Sequence, residues 1–114
     1  MAASTAPFIR WFAEISLDDI PSVGGKNASL GEMYRELGAK GVKVPQGFAI
    51  TAAAYRTFLH EAQVDTVIRE ILADLHTQDL SNLQQRGRRV RQAIVAAPLP
   101  VQLEEQIVAA YERL

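Results

Sequence analysis

From residue 30 onward the apolar residues of this chain recur at spacings of three and four, and glycine or proline ends several of the stretches. That spacing puts side chains on one face of an α-helix, so the chain is constrained to a succession of short amphipathic helices. Leu30, Met33, Tyr34 and Leu37 predict about three helical turns, stopped by Gly38 and Gly41. Thr51 is placed to cap a second helix bearing Tyr55, Phe58, Leu59 and Ala62. Asp65 is placed to cap a third, with Ile68, Ile71, Leu72 and Leu75 on its buried face. A longer helix is predicted from about residue 79 to residue 97, with Leu83, Gly87, Val90 and Ile94 on one side. Pro98-Leu99-Pro100 breaks it, and the last helix runs from Val101 to Arg113 with Leu103, Ile107, Ala110 and Tyr111 inward.

Before the helices lies a different pattern. Phe8-Ile9-Arg10-Trp11-Phe12 is short, apolar and aromatic and reads as a strand. Asp18-Asp19-Ile20-Pro21-Ser22 reads as a turn, with Pro21 disfavouring helix at Ile20. Val44-Pro45 forces extension, and Phe48-Ala49-Ile50 reads as a second strand, expected to pair with the first. The fold class is therefore α+β, mainly helical with a short N-terminal strand pair. Residues 1–7 are expected to form a flexible terminus ahead of one domain over residues 8–114, a length that suits a single core.

Composition narrows the function classes. A net charge of −1 gives no electrostatic footprint for nucleic acid or an anionic membrane, so neither is expected as a partner. No cysteine is present, which excludes disulfides, thiolate metal sites and cysteine nucleophiles. No apolar run approaches the roughly 20 residues of a membrane span, and the opening residues lack the basic region of a signal peptide; a cytoplasmic location is expected.

The stretch richest in chemistry is Val23-Gly24-Gly25-Lys26-Asn27-Ala28-Ser29-Leu30-Gly31-Glu32-Met33. Two glycines permit unusual backbone angles and close approach to the main chain. The helix that follows turns unpaired N–H groups and its positive dipole end toward the same place, and Lys26 adds a mobile cation. Together they suit an anion, phosphate above all. On chemistry alone, a tight turn with a solvated lysine fits the same pattern.

That run resembles the N-terminal signature of the phosphoenolpyruvate-utilising dikinases, in particular their phosphoenolpyruvate synthase (pyruvate, water dikinase) branch. Ile9-Arg10-Trp11-Phe12 before it, and Gly41-Val42-Lys43-Val44-Pro45-Gln46-Gly47-Phe48-Ala49-Ile50-Thr51 after it, extend the similarity over essentially the whole chain. The resemblance implies the first, incomplete part of an ATP-grasp nucleotide-binding domain, with ATP and Mg²⁺ used by the complete enzyme. It implies that Lys26 contacts the nucleotide phosphates, that Gly24 and Gly25 serve by shape, and that Asn27 and Ser29 cap the helix. The partners it implies are ATP and the rest of a dikinase: the remaining ATP-grasp region, a phosphohistidine domain and a pyruvate-binding barrel. It places no catalytic residue and no metal ligand in this chain, and it implies that the 114 residues alone are inactive.

The remaining polar clusters read as structural. Arg86, Arg88, Arg89 and Arg91 form a cationic stretch with no interleaved aromatics, expected to be a solvated face or a contact with other parts of an enzyme. His60 and His76 sit near predicted helix ends, where a cation favours the dipole. Asp18 with Asp19 and Glu104 with Glu105 are adjacent pairs whose side chains diverge, unlike a catalytic dyad or a Mg²⁺ site. The competing readings are the front end of a related dikinase, transferring phosphate to phosphate or to an antibiotic, and a stand-alone helical interaction module.

Overall fold

The computed structural model describes residues 8–114, so the terminus expected to be flexible lies outside the described residues. These residues are mainly helical with a two-stranded antiparallel sheet, an α+β arrangement. The strands are β1 (Ile9–Trp11) and β2 (Phe48–Ile50). The helices are α1 (Ile20–Val23), α2 (Gly25–Ala39), α3 (Ala52–Glu61), α4 (Val64–Leu72), α5 (Leu80–Ala96) and α6 (Val101–Arg113). Contacts divide the chain into two compact units: residues up to Tyr55 together with Val101–Leu114, and Arg56–Pro100.

In the first unit the two predicted strands pair with Ile9 opposite Ile50, Arg10 opposite Ala49 and Trp11 opposite Phe48. Phe12 N–H donates to the Gly47 carbonyl (2.9 Å) and Thr51 N–H to that of Phe8 (3.0 Å), which extends the ladder at both ends. The Trp11 and Phe48 rings lie 5.4 Å apart and tilted, a favourable aromatic pair. Helix α6 is tied to β1 by a bond from Phe8 N–H to Gln106 Oε1 (3.2 Å), and the Arg113 guanidinium stands 4.9 Å over the Trp11 ring. Leu103 and Ala110 are its buried residues. Tyr111, expected inward, is instead 70% exposed, because it lies about 100° further round the helix than Ala110.

One local expectation is overturned before α2. Pro21 does not prevent helix: a 3₁₀ turn over Leu17–Asp19 leads into α1, and Ile20 has right-handed helical angles. Proline is tolerated in a first turn because the N–H it lacks would have no intrahelical partner there. Ser16 and Asp19 hold the entry: Asp19 Oδ2 accepts from Ser16 N–H (2.9 Å), and Ser16 Oγ accepts from Asp18 N–H (3.2 Å).

Helix α2 is longer than three turns, since it starts at Gly25 itself. It ends as its glycines predict: Gly41 is left-handed (φ 85°), with Val42 N–H bonded to Leu37 O (2.9 Å) and Gly41 N–H to Gly38 O (3.1 Å), the pairing of a Schellman stop. Its buried residues are Ala28 and Gly31 rather than the predicted stripe, of which Met33 is 44% exposed. The reason is a close approach. A Cβ on Gly31 would lie 2.7 Å from both Cβ and the carbonyl oxygen of Ile15, so the helix can sit there only with hydrogen at that position. One turn on, the Arg35 guanidinium donates to the same Ile15 carbonyl and pairs with Glu32 (3.3 Å). Ile15, Val23, Ala28 and Ala49 form the core around this contact, with Phe12 packed against them.

Thr51 caps α3 as predicted, its buried Oγ1 accepting from Ala54 N–H (3.2 Å). In the second unit Asp65 is not the cap of α4: the helix starts one residue earlier, after a left-handed Gln63 (φ 58°). Asp65 lies in the first turn, where its carboxylate favours the positive dipole end and stands 3.3 Å from His60 Nδ1. Val64 and Ile71 are the buried residues of α4; Leu72 is 38% exposed, and the helix ends before Leu75. Helix α5 begins as predicted, with Asp79 accepting from Asn82 N–H (3.2 Å), and packs against α4 without burying any of its own residues fully. Among the described residues no helix is long and apolar enough to cross a membrane.

Candidate functional site at the α1–α2 junction

The first helix stops at Val23, and the chain turns at Gly24 into α2. Gly24 has φ 85° and ψ 163°, a region essentially restricted to glycine. A Cβ there would meet nothing within 4 Å, so torsion rather than space selects glycine at this position. Gly25 is already helical and has no positive φ. The two glycines of the motif therefore differ: Gly24 makes the turn, and Gly25 leaves the first turn of α2 without a side chain in its way.

The first intrahelical bond of α2 runs from Ala28 N–H to Gly24 O (3.0 Å), so the N–H groups of Gly25, Lys26 and Asn27 precede the ladder. No side chain caps them. Asn27 and Ser29, expected as caps, do other things. Asn27 Nδ2 donates backward to the carbonyl of Val23 (2.9 Å), the last residue of α1. Ser29 is exposed and lines a shallow cleft of about 400 Å³ together with Gly25, Lys26, Leu30 and Met33. The cap position falls on Gly24, which has no side chain to offer. Lys26 is exposed and makes no ion pair among the described residues. The result is an uncapped helix start, a mobile cation and a mainly apolar shelf on one surface, suited to an anion carrying an apolar or flat group.

The other clusters separate into structural roles. Arg86 is not part of a solvated face: its side chain is 16% exposed, and its guanidinium donates to the Ile71 carbonyl near the end of α4 and to Asp74 Oδ1 (2.6 Å). The arginine beside Asp74 holds that carboxyl below the ordinary carboxylate range. Arg88, Arg89 and Arg91 are exposed. Asp19 is also lowered, first by the Ser16 N–H it accepts from and then by the charge of Arg10, 3.4 Å away. Asp65 is lowered chiefly by the Thr66 N–H (2.8 Å). His60 lies in the last turn of α3, while His76 lies beyond the end of α4. Among the described residues no three His, Asp or Glu side chains converge in a way that could hold a metal ion.

Sequence reasoning passed over Arg35, Gly31 and the backward bond of Asn27. Their signal was present as spacing: residues 28, 31 and 35 share one helical face, and Asn27 stands four residues after Val23.

With this geometry in view, residues 20–114 match the family described as pyruvate phosphate dikinase, AMP/ATP-binding domain, and the chain belongs to that family. Among curated proteins it is similar to the N-terminal region of phosphoenolpyruvate synthases. It is 46% identical over 111 residues to the Synechocystis sp. enzyme, 47% over 106 residues to that of Aquifex aeolicus, and 40% over 110 residues to that of Escherichia coli. Those matches cover 97%, 93% and 96% of this chain. The chain spans 14%, 12% and 14% of the respective relatives.

Proposed function

We propose that this chain is the front part of the nucleotide-binding region of a phosphoenolpyruvate synthase and forms one wall of its ATP phosphate site. The observation that carries the reading is the α1–α2 junction. Lys26 stands without an ion-pair partner among the described residues at a helix start that no side chain caps, in a chain belonging to an AMP/ATP-binding family. Lys26 contributes a point charge to phosphate oxygens, and the N–H groups of the first turn of α2 donate to the same oxygens. Gly24 aims that turn, and Gly25 keeps its backbone accessible. When bound, ATP with its Mg²⁺ supplies the phosphoryl groups of the reaction.

The complete enzyme, in this reading, converts pyruvate, ATP and water to phosphoenolpyruvate, AMP and phosphate through a phosphohistidine on another domain. The rest of the ATP-grasp region, the phosphohistidine domain and the pyruvate-binding barrel are the proposed partners of this segment. His60 and His76 lie near helix ends beside α4 in the second unit, outside the unit that carries Lys26. The segment is read as a binding element, and alone it is expected to lack dikinase activity. One lysine contact does not comfortably exceed the ~4 kcal/mol or more of translational and rotational freedom lost on binding, so calorimetry of the 114-residue chain with Mg-ATP should show no micromolar affinity.

The deciding experiment uses a full-length synthase carrying this segment, either as encoded or assembled by replacing the matching part of the E. coli relative. Lys26→Ala should lower turnover at subsaturating ATP about ten- to a hundredfold, from a charge-assisted contact of about 1.5–3 kcal/mol, without lowering the thermal midpoint. Unchanged turnover would remove Lys26 from the site.

A further inference from the structure

The glycine that aims α2 also creates a problem. Gly24 sits in a torsional region that glycine reaches but does not specifically prefer, so nothing in residue 24 itself fixes the direction in which the next helix leaves. The backbone bonds around it, Gly24 N–H to Ile20 O (2.8 Å) and Ala28 N–H to Gly24 O (3.0 Å), each lie on one side of the turn and belong to one helix or the other. Among the described residues a single side-chain hydrogen bond spans it. Asn27 Nδ2, partly buried, donates to the Val23 carbonyl at 2.9 Å, which joins the first turn of α2 to the last residue of α1. Val23 is itself anchored, 7% exposed, in the core with Ile15, Ala28 and Ala49.

We infer that Asn27 is a positioning residue of the Lys26 site: its amide locks the angle between α1 and α2, and so holds Lys26 and the first-turn N–H groups in their phosphate-binding direction. Three features support this. The Val23 carbonyl ends its helix and lacks an intrahelical donor, so the bond satisfies a group that folding leaves open. The bond spans the junction at its only glycine-specific torsion. And Asn27 neighbours Lys26, so a reorientation of one moves the other. Holding donors in place before the ligand arrives lowers the cost of binding and of reaching the transition state.

The inference rests on the ATP reading above, and the test separates the two. In the full-length synthase carrying this segment, Asn27→Leu keeps the approximate volume and removes the donor. Asn27→Ser keeps a donor able to bond back to a carbonyl four residues earlier. Asn27→Leu should raise the KM for ATP about three- to tenfold, as expected for one lost hydrogen bond, with the KM for pyruvate unchanged; Asn27→Ser should recover most of that loss. A purely structural role would instead lower the thermal midpoint and the active fraction while leaving the ATP KM alone. An unchanged ATP KM in Asn27→Leu, or equal rises for ATP and pyruvate, overturns the inference. Lys26→Ala measured alongside identifies which idea has failed: if it too leaves the ATP KM unchanged, the ATP reading falls; if it raises the KM while Asn27→Leu does not, only the positioning role falls.

Discussion

The two units of the chain are held together by opposite means. Around α2 the contacts are made by what is missing from the side chains: Gly31 and Ala28 let the helix lie directly on Ile15, and Arg35 fastens the same carbonyl. In the α4–α5 pair little is buried on α5, and a long polar side chain, Arg86, reaches across to the Ile71 carbonyl and Asp74. The first arrangement fixes backbone against backbone, with almost no slack. The second packs α5 on an α4 whose Val64 and Ile71 are buried, leaves no residue of α5 itself fully buried, and adds a polar tether from Arg86. The phosphate site proposed at the start of α2, whose donors would be main-chain N–H groups, needs the first kind of support, and Lys26 lies in that unit.

The largest effect should come from filling the close approach. Gly31→Val places two further methyl groups beyond a Cβ that already lies 2.7 Å from Ile15, so α2 must move as a body. A loss of about 3 kcal/mol in urea unfolding of the chain is expected, the upper range for overpacking. A loss below about 1 kcal/mol would show that Ile15 yields easily and would erase the contrast between the units.

A smaller loss should follow from cutting the tether. Arg86→Met keeps an unbranched apolar stem but removes both bonds, at about 1–2 kcal/mol. Arg88→Met, at an exposed position on the same helix, should change stability by less than about 0.5 kcal/mol. Amide exchange provides the sharper readout: Arg86→Met should speed exchange in α4 and α5 while leaving β1, β2 and α2 protected. Equal loosening of both units would mean that they open together.

Acid should weaken the same unit first. Asp65 and Asp74 in the second unit and Asp19 in the first all have carboxyls held below their ordinary values. A carboxyl whose folded value is depressed stabilises the fold above its unfolded value, and that contribution disappears as pH falls through the folded one. Stability should therefore decline from about pH 5 downward, with protection in α4 and α5 lost ahead of β1 and β2. Asp74 is exposed and Asp19 and Asp65 are in part accessible to solvent, so the effect is small and shrinks with added salt. A stability that rises on acidification would contradict the assignment.

The α+β class, the two strands, the Thr51 cap, the approximate start of α5 and the glycine stop of α2 were legible because each depends largely on chemistry within a few residues. The glycine–lysine run stood out in the sequence, yet the different torsions of Gly24 and Gly25 did not, since both glycines read alike there. The buried face of α2 was misjudged for a physical reason: periodicity weighs large apolar residues, whereas a helix lying on a backbone buries its smallest ones. Met33 and Leu30 are left to line the cleft beside Lys26 instead. Arg86 was misread for the complementary reason, because a run of arginines says nothing about which one finds a carbonyl across the gap.

The smallest effect is also the most discriminating among the glycines. Gly38 lies inside α2 with helical geometry, and a Cβ there would meet nothing within 4 Å. Its carbonyl accepts from Gly41 N–H, a bond that any residue at position 38 preserves. Gly38→Ala should therefore stabilise the chain by about 0.5–1 kcal/mol, by lowering the entropy of the unfolded chain and favouring helix. Gly41→Ala, three residues on, should destabilise it, since φ is 85° there and the Schellman bonds depend on that angle. Opposite signs from two exposed glycines in one turn would show that torsion alone sorts them. A loss at Gly38 would mean that the end of α2 is held by a contact as tight as the one at Gly31, and the slack-free region would then extend along the whole helix.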